Sequence, residues 1–399
     1  MSSTHTEELI LLKNICKNPT VDALIQAVDH QDIAMYTEAY ASLLNVGSEC
    51  SFAEFLCREI LFDDNLFARQ AHAGNLRSSV SFAFAHDLVI LQNLAKFITG
   101  NGSNFFTESG LPAIGYGKDN PLFESNWSDP KSIEKISGFF HKNGYGMFIG
   151  HKAFTYSSGT LKPVLNPSDI TLSDLKNYES EKQAVLDNVE NFVRELPFSD
   201  MLLYGDKGTG KSSTVHAVLN FYAETGLRAV EIQKEQLGVI NELKETLASL
   251  PFKFIIFIDD LSLEERDEKI YSLKASLEGS INAMSSNVMI VATSNRRNIL
   301  KENFSDRENS VHARDTMEEQ LSLSDRFGIK VLFSSTGKQE YLSIIKQLAE
   351  DKKMDISEDT LFALAERWAI QKGGRSPRRA KQFIDYAFSC LSKGIQIDF

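Results

Sequence analysis

Apolar residues recur at two different periods along this chain, and the change of period divides it. In the first hundred residues the spacing is helical: Val21, Leu24, Ile25 and Val28, then Ile33, Tyr36, Tyr40, Leu43 and Leu44, then Phe84, Leu88, Leu91 and Ala95. From Gly100 to about Leu165 the pattern is irregular, with Trp127, Phe139, Phe140, Tyr145, Phe148, Phe154 and Tyr156 scattered among turn signals. There, Met147-Phe148-Ile149 and Ala153-Phe154-Thr155-Tyr156 are spaced to pair as a β-hairpin across Gly150-His151-Lys152. Unperiodic and without basic residues interleaved, these aromatics are expected to pack in a core or between domains rather than to stack on bases. Leu165-Asn166-Pro167-Ser168-Asp169 gathers turn-forming types ahead of an amphipathic helix from about Glu179, which marks a boundary.

Beyond that boundary, short apolar runs alternate with helical patterns. Met201–Tyr204, Leu227–Ile232, Phe254–Ile258, Val288–Thr293 and Ile329–Phe333 read as strands, with helices over Ser213–Tyr222, Glu235–Leu250 and Ile270–Ala283 between them. Strand and helix in turn predict an α/β fold on a five-stranded parallel sheet. From Gln339 the spacing is helical again, through Leu342, Ile345 and Leu348, then Leu361, Leu364 and Trp368, then Phe383, Ile384 and Ala387. The predicted organisation is a helical N-terminal domain over 1–100, an aromatic and glycine-rich connector over 101–165, an α/β core over 166–336 and a small helical lid over 337–399.

Composition changes this picture little. At 399 residues the chain exceeds a single core, and 42% hydrophobic with 24% charged residues is ordinary for a globular protein. No apolar run approaches the ~20 residues a membrane-crossing helix needs. The start, Met1 to Glu8, lacks the basic and apolar stretches of a secretion signal, so a cytoplasmic protein without a membrane partner is expected. Cys16, Cys50, Cys57 and Cys390 show neither C-x-x-C spacing nor histidine partners, and read as free thiols. The net charge of -12 argues against broad adhesion to nucleic acid, leaving only a local basic groove open. Residues 1–100 carry twelve acidic and six basic residues, half of that net charge, and are better suited to a protein partner.

The chemistry concentrates after the first core strand. Gly205-Asp206-Lys207-Gly208-Thr209-Gly210-Lys211-Ser212 spells the P-loop pattern between strand and helix, with Ser213 following. Its glycines let backbone amides turn toward phosphate oxygens, and the helix start adds partial positive charge. Lys211 reaches the β and γ phosphates, and Ser212 holds a magnesium ion. The strand Phe254–Ile258 ends in Asp259-Asp260. Asp259 is the expected magnesium carboxylate, and Asp260 the expected base that polarises the attacking water. A glutamate commonly fills that second place; an aspartate is one methylene shorter, and Glu264 or Glu265 are the substitutes. The strand Val288–Thr293 ends in Ser294-Asn295-Arg296-Arg297, and Asn295, with Thr293 as the alternative, would position the water beside the γ-phosphate.

These elements occur in the order found in AAA+ ATPases, with Ser324-Asp325-Arg326-Phe327-Gly328 before the last strand and Ser376-Pro377-Arg378-Arg379-Ala380 in the lid. Within them the chain most resembles a bacterial ATP-binding family catalogued as a domain of unknown function. The likeness rests on Ile170-Thr171-Leu172-Ser173-Asp174-Leu175, Gly208 to Ser213, Asp259-Asp260-Leu261-Ser262, Thr293 to Arg297 and Leu323 to Gly328. It covers roughly 165–390. The resemblance implies ATP and Mg2+ held between core and lid, and Arg326 donated as an arginine finger to a neighbouring subunit in a ring or open oligomer. Arg296, Arg297 and Arg307 are rival interface arginines. Arg378 would be the lid's phosphate sensor, with Ile170 and Tyr178 against the adenine.

Lys372, Arg375, Arg379 and Lys381 read as solvated companions of Arg378 rather than a nucleic-acid patch. The polar segment Lys301–Glu319 is expected to be a functional loop that senses the neighbour's nucleotide. The implied function is ATP hydrolysis to ADP and phosphate that remodels a protein or nucleoprotein target. The alternative is a nucleotide-gated binding module, a helicase-loader-like adaptor with little turnover.

Overall fold

The computed structural model describes residues 5–45, 51–117, 120–261, 263–264, 269–278, 286–295, 300–301 and 324–399. The chain divides into two compact units, Met1–His151 and Lys152–Phe399.

The first unit is helical. Helices α1 (Pro19–His30), α2 (Ile33–Asn45), α3 (Phe52–Phe62), α4 (Leu66–His72), α5 (Ser78–Thr99), α6 (Asn104–Glu108), α7 (Pro130–Asn143) and α8 (Met147–Gly150) follow one another. Asn18 starts α1 by accepting the Thr20 amide, and Pro19 occupies the first helical position. Phe84, Leu88, Leu91 and Ala95 of α5 are fully buried, as their spacing predicts. The carboxylate of Asp87, on the same helix, accepts the backbone amides of Ile10 (2.9 Å), Leu11 (2.7 Å) and Leu12 (2.9 Å) and so ties the leading segment to α5. Trp127, Phe140, Tyr145 and Phe148 are buried inside this unit, so they pack a core. Met147–Gly150 is a helical turn and not the first arm of a hairpin. Cys57 and Cys390 are buried free thiols and Cys16 is a half-buried one, while Cys50 lies outside the described residues.

The second unit is built around a seven-stranded sheet. Its strands are β1 (Ala153–Ser157), β2 (Thr160–Pro163), β3 (Met201–Gly205), β4 (Leu227–Ile232), β5 (Lys253–Ile258), β6 (Val288–Ser294) and β7 (Ile329–Phe333). They lie in the order β2-β1-β4-β5-β6-β3-β7. The predicted five parallel strands are present as β3 to β7, but the sheet is seven-stranded and mixed. Strand β1 extends it by pairing in parallel with β4, Phe154 opposite Val230, and β2 returns antiparallel along the edge. The hairpin therefore runs from Ala153 to Pro163 and belongs to the core unit, which starts at Lys152 rather than near residue 166. Phe154 and Tyr156 are buried in it while the residues between and after them face outward, the alternation of a half-covered edge.

Strands β5 and β6 are buried along almost their whole length, as a strand covered by helices on both faces must be. Helix α9 (Glu179–Val193) and helix α10 (Lys211–Tyr222), α10 following β3, pack Val185, Val189, Val215 and Val218 against Met201, Leu203 and Phe257. Helix α11 (Ile240–Ala248) is preceded by a 3-10 stretch over Lys234–Val239, and α12 is described over Lys269–Glu278. Helices α13 (Lys338–Asp351), α14 (Glu358–Gln371) and α15 (Pro377–Ser392) form the lid around its own core of Tyr341, Ile345, Ala365, Phe383 and Ile384. Among the described residues no helix is long and apolar enough to cross a membrane.

Candidate functional site

In a parallel sheet all strands end on the same edge, and there three chain segments meet. The P-loop follows β3, Asp259 and Asp260 follow β5, and Asn295 follows β6.

The loop is held in shape by its own backbone. Gly205 has φ +132°, and a Cβ on it would stand 2.0 Å from the carbonyl oxygen of Phe333. That closeness exists because the Asp206 amide donates to the same oxygen, 3.1 Å away, which fastens the loop to β7. Gly205→Ala is therefore expected to lower stability by about 3 kcal/mol, read as an earlier denaturant midpoint for the second unit. Thr209 donates its hydroxyl to the Asp206 carbonyl (2.8 Å). Asp206 and Lys207 are exposed, so only their backbone faces the loop interior.

Lys211 is buried, and its ammonium points into the loop. Nζ donates to the carbonyls of Gly205 (3.0 Å) and Asp206 (2.7 Å) and to Oδ1 of Asn295 (3.2 Å). Burial pulls its pKa down; Asp206, Asp260 and Asp259 oppose this, and Arg378 adds to it. The amide of Asn295 donates in turn to Asp260 Oδ1 (2.5 Å). Lysine, asparagine and second acid thus form one chain of hydrogen bonds, and Asp260 is brought to the cradle through Asn295.

Ser212, one residue on, donates its hydroxyl to Asp259 Oδ1 (2.6 Å). Among the described residues no cluster of three or more His, Cys, Asp or Glu forms a metal cage. A hydroxyl beside a carboxylate at the mouth of a phosphate cradle is the sparse protein share that Mg2+ takes when phosphates and waters complete its octahedron. These residues fit that ion.

Beside the loop lies a cavity of about 310 Å³ with Ile170, Tyr178, Gly208, Thr209, Gly210 and Ser213 in its wall, closed on the lid side by Ile344, Leu348 and Arg378. Ile170 and Tyr178 are thus both in its lining. Tyr178 is clamped there: its hydroxyl donates to the Ser334 carbonyl (2.6 Å) and its ring packs 5.3 Å from that of Phe333. The lid touches the loop directly, because the Arg378 amide donates to the Gly208 carbonyl (3.2 Å). Ser376 caps α15 by accepting the Arg379 amide and Pro377 opens the helix, as their types predict. The neighbouring cations are engaged elsewhere: Arg375 grips Glu366 with two bonds (2.9 and 2.7 Å), Arg379 donates to the Gly374 carbonyl, and Lys372 lies over Trp368.

Three features escaped sequence reasoning. Lys381, Gln382 and Asp385 line the cavity, and their spacing from Arg378 along one helical face was the available signal. Ile344 and Leu348, one turn apart on α13, were legible the same way. Thr293 bonds to both acid positions, which no local pattern announces.

Arg326 is not brought to the cradle. It precedes β7 by three residues, whereas the P-loop follows the far end of β3, and β3 and β7 run parallel with Met201 opposite Ile329. Glu265, Arg296, Arg297, Arg307 and all of Lys301–Glu319 but its first residue lie outside the described residues, as does the side chain of Glu264.

A family model described as a protein of unknown function, DUF815, matches residues 150–390. Among curated proteins, the replication factor C large subunit of Nanoarchaeum equitans is 24% identical over 203 residues, 49% of this chain and 41% of that protein, so the chain spans less than half of this relative. Among solved structures, the RuvB Holliday junction branch migration motor of Thermotoga maritima aligns with a TM-score of 0.41 and 19% identity over 56% of this chain and 66% of that one. The FIGL-1 AAA domain in complex with ADP aligns with a TM-score of 0.39 and 19% identity over 59% and 80%.

Proposed function

The chain belongs to the DUF815 family of proteins of unknown function, and from its site we propose that it binds ATP with Mg2+ and hydrolyses it to ADP and phosphate, as a self-associating AAA+ ATPase that remodels a protein or nucleoprotein target. One observation carries this reading: the cradle's Lys211 and Ser212 are hydrogen-bonded to the strand-end groups Asn295 and Asp259, with Asp260 one bond further.

In the proposed reaction, amides of the Gly208–Lys211 turn and the start of α10 hold the phosphates, and Lys211 turns from its loop carbonyls to the β and γ oxygens. Ser212 and Asp259 would hold Mg2+, which neutralises charge on the phosphates when bound. Asn295 orients a water. Asp260 takes the water's proton as its oxygen bonds to the γ-phosphorus and the bond to the ADP oxygen breaks. Arg378 approaches the same phosphates from the lid. Ile170 and Tyr178 would contact the adenine in the adjoining cavity, and the acidic first hundred residues would face the protein partner.

Asp260→Asn tests the hydrolytic half. The amide keeps an acceptor for the Asn295 bond but cannot take a proton, so turnover should fall about a hundredfold while calorimetry still registers Mg2+–ATP binding. Unchanged slow turnover would instead favour the nucleotide-gated binding module. Absence of any heat of ATP association in the unsubstituted protein would remove the proposal altogether.

A further inference from the structure

Beneath the two acids of the site sits a hydroxyl that touches both. Thr293, in β6 and 2% exposed, donates from Oγ1 to Asp259 Oδ1 (2.6 Å) and accepts the Asp260 backbone amide on the same oxygen (2.9 Å). Its carbonyl accepts the amide of Leu261 (2.7 Å). The Asp259–Leu261 turn is thereby stitched to β6 at consecutive positions. The turn needs such support: Asp260 has φ +51°, the left-handed region that side chains other than glycine rarely adopt. That conformation swings the Asp260 carboxylate back over β6, where Asn295 meets it.

We infer that Thr293 is a positioning residue that sets both acids at once, the Asp259 carboxylate through the donated bond and the left-handed Asp260 backbone through the accepted one. A hydroxyl suits the place because it donates and accepts through a single small atom. Valine has the same branched shape for the strand and offers neither bond. Serine keeps both. Asp259 Oδ1 also accepts from Ser212, so the threonine leaves Ser212 and Asp259 face to face where the magnesium ion would lie. The inference rests on the ATPase reading, and it adds the group on which the geometry of metal carboxylate and base depends together.

The experiment compares Thr293→Val and Thr293→Ser in the full chain. Calorimetry measures ATP affinity with and without Mg2+, and phosphate release measures kcat and KM. In Thr293→Val the gain in ATP affinity conferred by Mg2+ and the kcat should each fall about 10- to 100-fold, the usual cost of removing a partner that orients a metal ligand. Affinity for metal-free ATP should stay as in the unsubstituted protein, and serine should restore most of the loss. If valine prevents folding, Thr293→Cys, with a thiol that donates and accepts only weakly, should show the same loss. Wild-type Mg2+ dependence in the valine protein, or equal impairment by serine and valine, would overturn the inference while leaving the ATPase reading intact. Failure of the unsubstituted protein to bind ATP would overturn both.

Discussion

Lys211→Ala should lower kcat/KM for Mg2+–ATP about a thousandfold, measured as steady-state phosphate release. The ammonium is not a surface charge that water could replace. Lys211 is 6% exposed, and each of the three protons of its ammonium already points at an acceptor: the carbonyls of Gly205 and Asp206 and the Asn295 side chain. Those bonds hold the charge at the centre of the loop, so that it need only turn from its loop carbonyls to meet a triphosphate tail, and such placement is what makes an electrostatic contribution large. Alanine also breaks the link from the loop to Asn295, and through it to Asp260. The loss should therefore appear in kcat as well as in KM. Lys211→Met, which keeps the apolar stem, should be as inactive as alanine if the charge is what matters. Retention of a tenth of the turnover by either variant would show that the cradle does not work through this lysine.

Why the role of that lysine could be read from sequence while the hold of Thr293 on both acids could not is a matter of distance along the chain. The P-loop is a local object: strand, glycine-rich turn and helix lie within some twenty residues, and the spacing of Gly205, Gly208, Gly210 and Lys211 specifies the turn by itself. The central strands were legible for a similar reason, since burial on both faces leaves continuous apolar runs such as Ile255-Ile256-Phe257-Ile258. Strand β1 is short, half-covered and preceded by a glycine-rich turn, and its partner Ala229 lies 76 residues after Ala153, so only tertiary pairing makes it part of the sheet. The same holds for Met147-Phe148-Ile149, whose apolar run fits a strand until the buried positions around Tyr145 and Phe148 fold it into a turn of helix. Asp259 and Asp260 were visible as types at a strand end. That Asp260 turns left-handed over β6 is decided by Thr293 and Asn295, more than thirty residues away.

Arg326→Ala should lower turnover by about 10³- to 10⁵-fold, the range over which an arginine finger acts in P-loop enzymes, and should leave the ATP affinity of the dispersed subunit unchanged. The two effects separate because of where the residue stands. The cradle opens at the carboxyl end of β3, where Gly205 pairs with Phe333, the last residue of β7. Arg326 lies before the first residue of that strand, at the edge where Asp325 bonds Lys330 (2.7 Å). Five strand residues span about 16 Å, further than an arginine side chain covers, so this guanidinium does not reach the chain's own nucleotide and would act only on a neighbour's. Turnover per subunit should consequently rise with protein concentration. Mixing supplies the sharper measurement. Arg326→Ala subunits have an intact cradle and no finger; Lys211→Ala subunits have a finger and no working cradle. Each is inactive alone, and together they should recover a measurable part of the wild-type rate, because a Lys211→Ala subunit can present Arg326 to the intact site beside it. A variant inactive merely through misfolding would not be rescued in this way. A mixture as inactive as its components, or a single substitution without effect, would exclude Arg326 from the reaction and with it the assembled form of the enzyme argued from its position.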